Sequence, residues 1–208
     1  MNVKLRTATR PDTRSAIFQA AAIAFSSRGF DGVGVDDIAE RAHVNKAMIY
    51  YHFADKLALY RAVVGDMLNT LATTASAIAE SDRSPGDKLN QFIDNFVRQA
   101  DARPWFPTMM LREISEGAPH LDLDTLAVMK GVFVAFGRIL AEGAAAGVFR
   151  QIHPILAYTS IVGPLLMNAA RERMAAEPGR SQLPMFVEIS HADLVTHIQH
   201  TAHRMLQP

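Results

Sequence analysis

The chain of 208 residues contains no cysteine. This absence excludes a disulfide framework and thiolate metal sites, and it fits a reducing compartment, so we expect the protein in the cytoplasm. Long hydrophobic runs are also missing. Residues 151–170 hold the fewest charges, yet polar side chains and two prolines keep their apolar runs far shorter than the ~20 residues of a membrane span. The first residues, MNVKLRTATR, hold no apolar segment, so we expect neither a signal peptide nor a membrane partner.

An excess of charge of one sign is missing too, since 21 basic and 21 acidic side chains give a net charge of zero. The distribution is uneven. Residues 1–62 hold nine basic and six acidic side chains, a balance of +3, and the remainder holds twelve and fifteen, a balance of −3. This asymmetry weakly favours a polyanionic partner for the N-terminal part. Apolar residues make up 49% of the chain, which is typical of a folded globular protein.

Apolar residues recur at helical spacing along almost the whole chain, and no segment alternates at period two long enough to predict a sheet. We therefore predict an all-α fold of about nine helices, with residues 81–88 as a loop. The predicted helices begin near Pro11–Thr13 (ending at Gly29), at Val35 (after Gly34 as N-cap), after Asn45, after Asp55, near Leu89, at Pro104 (ending near Gly117), near Leu126 (ending near Gly147), at Pro154 and near residue 190.

The second and third predicted helices, joined by the short AHVN connection (42–45), form a helix-turn-helix unit. The second helix of such a unit enters the major groove of DNA. Ile49 and Phe53 lie four residues apart and face the core, so the neighbouring side chains project outward. Their phenol, imidazole and ammonium groups suit phosphate oxygens. The residues predicted on this DNA face are Lys46, Ala47, Tyr50, Tyr51, His52 and Lys56.

Other interpretations of this unit stay open from the residues alone. A helix-turn-helix can be a simple packing unit, and exposed tyrosines can mark a protein interface. The rival function is a helical small-molecule-binding protein without DNA binding. We predict that the chain is not an enzyme, because no Ser or His lies in a recognisable nucleophile arrangement.

The run from Arg14 to about Leu59 carries a pattern of residues found in a known family. Its elements are Ile17, Ala20-Ala21 and Phe25; Gly29-Phe30; Val35-Asp36-Asp37-Ile38-Ala39; Ala42 and Val44; and Ile49-Tyr50-Tyr51-His52-Phe53 with Lys56 and Leu59. This run resembles the DNA-binding domain of TetR-type transcriptional repressors. The resemblance implies a DNA-binding domain over residues 1–60 and a ligand-binding and dimerisation domain over residues 61–208. It also implies a homodimer on a palindromic double-stranded operator, released by a small-molecule effector.

Three positions depart from the family pattern. His43 stands where the family usually has glycine, at a turn position that requires positive φ, and histidine is among the better non-glycine residues there. Gly34 replaces a Ser or Thr, and we still expect it on the DNA face as an N-cap without a hydroxyl. Met48 replaces a small or hydroxylated residue. Arg10, with Lys4 and Arg6, forms a basic arm predicted to enter the minor groove.

The fifth to seventh helices carry more large apolar side chains than their mutual contacts require. Simple core packing is one explanation. An adaptable pocket for a mainly apolar effector between the fifth and eighth helices is the other, because methionine and aromatic side chains suit such sites. The residues predicted to line it are Phe92, Phe96, Trp105, Met109, Arg112, Phe133 and Phe136.

The eighth helix looks too apolar all round for the surface of a monomer, because Ile155, Ile161, Val162, Leu165, Leu166 and Met167 cannot all face one core. We therefore predict a homodimer in which the eighth and ninth helices pair with those of a second copy. The predicted interface residues are Ile155, Val162, Leu166, Leu194 and Ile198.

Two groups of histidines and acids are candidate metal sites. His120, Asp122 and Asp124 could hold a hard metal, although a solvated loop that caps the seventh helix is the favoured explanation. The histidines of the C-terminal helix recur every three residues and so drift around it, which favours a polar flank over ligation. We expect no cofactor and no resident metal. These histidines are His197, His200 and His203.

Overall fold

The computed structural model describes residues 12–176, 178–180 and 182–208. Within these ranges the chain forms nine α-helices, one short 3-10 turn and no strand, which confirms the all-α prediction. The predicted basic arm with Arg10 lies outside the described residues. The helices are α1 (Thr13–Arg28), α2 (Val35–Ala42), α3 (Lys46–His52), α4 (Lys56–Glu80), α5 (Pro85–Ala102), α6 (Phe106–Glu116), α7 (Leu123–Ala145), α8 (Pro154–Ala175) and α9 (His191–Leu206).

Local capping sets most of these bounds. The Asn45 side chain accepts the N–H of Ala47 at 2.9 Å, and Asp55 accepts that of Ala58 at 2.7 Å, so α3 and α4 begin where polar side chains satisfy free backbone donors. The predicted loop over residues 81–88 is wrong in its second half. Ser84 caps α5, and Pro85 occupies the first helical position, where its missing N–H costs nothing.

The chain divides into two compact units between Val63 and Val64, a boundary that lies within α4. The N-terminal unit packs α1 against α2 and α3. Its core includes an aromatic group, in which the ring of buried Tyr60 meets buried Phe25 edge-on at 5.0 Å and half-buried Phe30 at 5.3 Å. Burial of each large apolar side chain stabilises the unit by ~1.5–3 kcal/mol. The largest buried side chains of this unit are Ile17, Phe25, Ile38, Ile49 and Leu59.

The larger unit packs α5 against α7 and α9, and α8 against α6 and α7. One charged pair lies inside it. The Lys88 side chain is only 5% exposed and donates to Glu142 at 2.6 Å and to the Ala79 carbonyl at 3.1 Å. Since an unpaired buried ammonium is costly, this pair ties α5 to α7.

Helix α8 is better buried within one chain than its sequence suggested. Four of the six apolar residues that we expected could not share a core are buried: Ile161, Val162, Leu165 and Leu166. Their helix packs against α5, α6, α7 and α9 rather than on one layer. Ile155 and Met167 stay exposed. Among the described residues, no helix combines the length and apolarity needed to cross a bilayer.

Candidate nucleic-acid interface

The turn between α2 and α3 has a left-handed residue at its centre. His43 adopts φ 55° and ψ 43°, which confirms the predicted positive φ. Its N–H donates to the Glu40 carbonyl at 3.1 Å, and the Val44 N–H donates to Ala39 at 3.0 Å. These bonds end α2 and redirect the chain into α3 within three residues.

Helix α3 has one buried and one exposed face. Ile49 and Phe53 are buried, and the Arg14 guanidinium lies 4.9 Å from the centre of the Phe53 ring. On the other side Tyr51 is 79% exposed and Tyr50 is 48% exposed. Lys46 and Ala47 are exposed as well. The two faces lie as the spacing predicts, and contact of the exposed face with DNA stays a prediction.

The first residue of α3, Lys46, lies on the exposed face and forms an ion pair. Lys46 Nζ lies 2.9 Å from Asp36 Oδ2, and this hydrogen bond raises the pKa of Lys46. The neighbouring Asp37 accepts the Gly34 N–H at 2.7 Å and lies 3.3 Å from Arg28. The Gly34 bond, then Arg28, lower the pKa of Asp37. The Gly34 N–H, predicted on the DNA face, is therefore already satisfied within the chain.

Two predicted DNA-contacting residues are partly withdrawn from the surface. His52 is half-buried, and its Nε2 is buried without a hydrogen-bond partner, so the expectation that this side chain faces outward is wrong for that nitrogen. Lys56 Nζ donates to the carbonyls of Phe30 at 3.0 Å and Val33 at 3.1 Å, and lies 4.1 Å from the Phe30 ring centre. Lys56 thus ties the start of α4 to the segment between α1 and α2.

The charge balance of this unit changes when only described residues are counted. Residues 12–62 hold six basic and six acidic side chains, so the described part carries no net charge. The whole excess of +3 over residues 1–62 comes from Lys4, Arg6 and Arg10. Attraction of the described unit to phosphates therefore depends on where individual charges lie rather than on their sum.

In the larger unit, most residues of the predicted effector site lie in the core. Rings from α5 and α7 meet there: Phe92 and Phe136 are 4.9 Å apart. The predicted residues are placed as follows: Phe92, Phe96, Trp105, Met109 and Phe136 are buried, and Arg112 and Phe133 are half-buried.

Tyr158 of α8 also belongs to this aromatic cluster, and the sequence interpretation missed it. Its ring centre lies 4.2 Å from that of Phe133 and 5.7 Å from that of Phe136. Burial raises the pKa of Tyr158 to about 12. The sequence did contain a signal for this placement, because Tyr158 shares one helical face with the apolar residues Ile161 and Leu165.

Two pockets of the larger unit are lined by residues of α8 and α9. Phe96 lines a pocket of about 260 Å³ between α5, α8 and α9. A larger, apolar groove of about 640 Å³ lies along α8 and α9. Of the predicted interface residues, Leu194 and Ile198 line this groove and Ile155 is exposed, whereas Val162 and Leu166 are buried within the chain. We call it the methionine groove, since its lining includes Met167, Met174, Met185 and Met205.

Three of the candidate metal ligands have partners within the chain. His120 Nδ1 lies 2.8 Å from the Glu113 carboxylate, which is 1% exposed. Asp122 caps α7 by accepting the Thr125 N–H at 2.9 Å. His203 Nε2 lies 2.8 Å from Asn90 Oδ1. No group of three or more His, Cys, Asp or Glu side chains in the described ranges is arranged to hold a metal ion.

Known proteins resemble the chain over both units. Among curated relatives, RutR of Escherichia coli K12, an HTH-type transcriptional regulator, is 28% identical over 141 residues, or 68% of this chain and 66% of that protein. The transcriptional activator FasR of Mycolicibacterium smegmatis is 31% identical over 42% of this chain and 40% of its own length. IcaR of Staphylococcus epidermidis, a negative regulator of a biofilm operon, is 31% identical over 43% and 48%. The matched regions thus span about two-thirds of the first relative and less than half of the other two.

Solved structures show the same fold. The ketosteroid regulator KstR2 of Mycobacterium tuberculosis superposes with a TM-score of 0.75 at 16% identity, covering 96% of this chain and 97% of that one. FadR of Bacillus halodurans, a fatty acid degradation regulator, gives 0.71 at 18%, covering 94% and 96%. Family models match residues 17–63 as bacterial regulatory proteins of the tetR family and residues 85–177 as the tetracyclin repressor-like C-terminal domain. The chain therefore belongs to the tetR family of bacterial regulatory proteins.

Proposed function

We propose that the chain is a ligand-responsive repressor in the cytoplasm. It binds a palindromic double-stranded operator as a homodimer and dissociates when a small, mainly apolar effector binds. The observation that carries the DNA-binding part is the pair of exposed tyrosines on α3, held in place by buried Ile49 and Phe53. Phenol hydroxyls at such positions donate to base edges and phosphates.

The dimer is supported by the apolar surface on α8 and α9. Ile155 and Met167 are exposed there, and the methionine groove adds about 640 Å³ of mainly apolar concavity. Large exposed apolar surfaces of this kind mark interaction sites. A two-fold dimer presents two α3 helices to half-sites about 34–36 Å, or a multiple of one helical turn, apart. A monomer in sedimentation at micromolar concentration would contradict this assembly.

The effector site is supported by the aromatic cluster of α5, α7 and α8 and by the pocket that Phe96 lines. A ligand reduces operator affinity only if it favours one of two conformations of the dimer, and such coupling is typically ~1–3 kcal/mol. Trp105 is the sole tryptophan and is buried, so its fluorescence reports on ligands that enter this region. Named relatives include both a negative regulator and an activator, so the direction of regulation needs its own reporter assay.

The deciding experiment compares fluorescence anisotropy on two duplexes, one from DNA upstream of the protein's own coding sequence and one of scrambled sequence. We expect tighter binding to the upstream duplex. Tyr51→Ala should weaken that preference by about 1–3 kcal/mol, as loss of a base contact does. Leu123→Ala, at a residue 84% exposed on α7, is the matched control and should change nothing. Equal, weak binding to both duplexes would favour a small-molecule-binding protein without DNA binding.

A further inference from the structure

The first cation of the recognition helix is held by an acid of the preceding helix. Lys46 is the first residue of α3, and Asp36 is the second residue of α2. Their side chains meet at 2.9 Å although they are ten residues apart, and both are solvent-exposed, at 45% and 78%. The ammonium is thus placed beside the exposed tyrosines, but it is directed toward a carboxylate of its own chain.

The position of Asp36 in α2 stabilises its negative charge. Asp36 and Asp37 lie in the first turn of α2, where the helix dipole favours negative charge. Free N–H groups at a helix N-terminus also bind phosphate. Here the Gly34 N–H is given to Asp37, and the two carboxylates take Arg28 and Lys46 as partners. An entering phosphate must compete with both acids.

We infer that Asp36 is a specificity-determining residue, because its carboxylate retains the Lys46 ammonium and thereby weakens sequence-independent contact with DNA phosphates. The inference rests on the proposed DNA face of α3. Phosphate contacts supply affinity for every sequence, whereas base contacts discriminate between sequences. Retaining one cation away from phosphate therefore lowers the affinity for non-operator sequences. A larger share of the total binding then comes from the contacts of Tyr50 and Tyr51, which distinguish one sequence from another.

The expected size of the effect follows from the exposure of the pair. Exposed ion pairs change an equilibrium by about two- to fivefold. Asp36 therefore favours the paired position of the Lys46 ammonium without preventing its contact with DNA phosphates. Residues 12–62 carry no net charge, so removal of the Asp36 carboxylate gives them a net charge of +1.

The test measures binding of the full-length protein to a scrambled duplex over a series of salt concentrations. Asp36→Asn keeps the shape of the side chain and removes its charge. We expect about two- to fivefold tighter binding per protomer and a slope of log K against log salt that is steeper by up to about 0.9 per protomer. The ratio of affinities for upstream and scrambled DNA should fall. Asp31→Asn changes the net charge equally at another exposed acid of the same unit and should have a smaller effect.

A double-mutant cycle with Lys46→Ala decides the mechanism. If Asp36 acts through Lys46, Asp36→Asn has no effect in the Lys46→Ala background. An equal effect in both backgrounds would mean that Asp36 simply repels phosphate, and it would overturn the inference. Unchanged or weaker binding by Asp36→Asn alone would overturn it too. A wild-type chain that binds no duplex would instead contradict the proposed function, and thermal unfolding by circular dichroism checks that each variant is folded.

Discussion

The two units differ in where their important side chains lie. In the N-terminal unit, the exposed tyrosines lie on one helix of seven residues, whose opposite face is held by buried Ile49 and Phe53. In the larger unit, the rings of Phe92, Phe136 and Tyr158 come from three helices and meet in the interior. The first arrangement is a surface that can change partner without repacking. The second is a core, so any ligand there must displace or reorder side chains that also stabilise the fold.

The largest expected effect tests whether the N-terminal unit depends on its few buried residues. Ile49→Ala should lower the free energy of unfolding of that unit by about 2–5 kcal/mol, because it leaves a cavity under α3. Hydrogen exchange resolved by segment should show faster exchange in α1–α3 than in α5–α9. Ile23→Ala, at an exposed position of α1, is the control and should change stability by less than about 0.5 kcal/mol. Equal losses in both units would mean that they unfold together.

The next effect concerns the buried pair of the larger unit. Glu142→Gln leaves the Lys88 ammonium buried without its counter-charge and should cost about 2 kcal/mol, less than a fully buried pair because Glu142 is 44% exposed. Lys88→Met should cost less, since the remaining carboxylate can be solvated. Denaturation midpoints of the two variants give the comparison. Arg138→Ala removes the exposed partner of Glu80 and should be nearly neutral. A larger loss for Lys88→Met would show that its contacts, not the charge of Glu142, matter most.

A smaller effect separates two roles of Lys56. Lys56→Ala should lower the free energy of unfolding by about 1–2 kcal/mol, because the carbonyls of Phe30 and Val33 lose a charged donor. It should also weaken binding to all DNA sequences and reduce the salt slope by about one. Urea unfolding and anisotropy on the same preparation measure both. A loss of stability with an unchanged slope would leave Lys56 with a structural role alone.

The smallest effect is a pH dependence in the larger unit. Burial raises the pKa of Tyr158 to about 12, and an unfolded tyrosine titrates near 10. Below pH 10 both states keep the proton, and the contribution to stability is full. Above it, the unfolded state loses its proton first, so the free energy of unfolding falls by about 1 kcal/mol between pH 9.5 and 11. Tyr158→Phe should remove this fall in urea midpoints between pH 9.5 and 11, whereas exposed Tyr51→Phe should keep it. An unchanged slope in Tyr158→Phe would assign the fall to other groups.

Local signals predicted much of this architecture. Capping residues and prolines act on the few backbone groups next to them, so their effect can be predicted from the local sequence. The starts of α8 at Pro154 and of α3 after Asn45 agree with that prediction. The buried and exposed faces of α3 follow from helical periodicity in the same way. The loop prediction for the SDRSPGDK segment was wrong in its second half. The composition of the segment is typical of loops, but Ser84 and Pro85 together start a helix.

Contacts between distant residues could not be predicted from the sequence. Lys46 meets an acid ten residues away, and Lys56 meets a carbonyl 26 residues away, so these pairings depend on the packed unit. The same holds for α8, where periodicity indicates an apolar face but not how many helices surround it. A histidine nitrogen buried without a partner, as in His52, has no sequence signature at all.

The methionine groove has a chemical consequence for the stored protein. Exposed thioethers take up one oxygen atom from peroxides and become polar sulfoxides. Met167, Met174 and Met185 are exposed, whereas Met67 and Met109 are buried. Ageing in air should therefore add mass in steps of one oxygen first at the α8–α9 surface of a single chain, and pairing with a second copy over this surface should slow the uptake. A preparation kept without methionine as a scavenger would lose the apolar character of that surface before its fold changes.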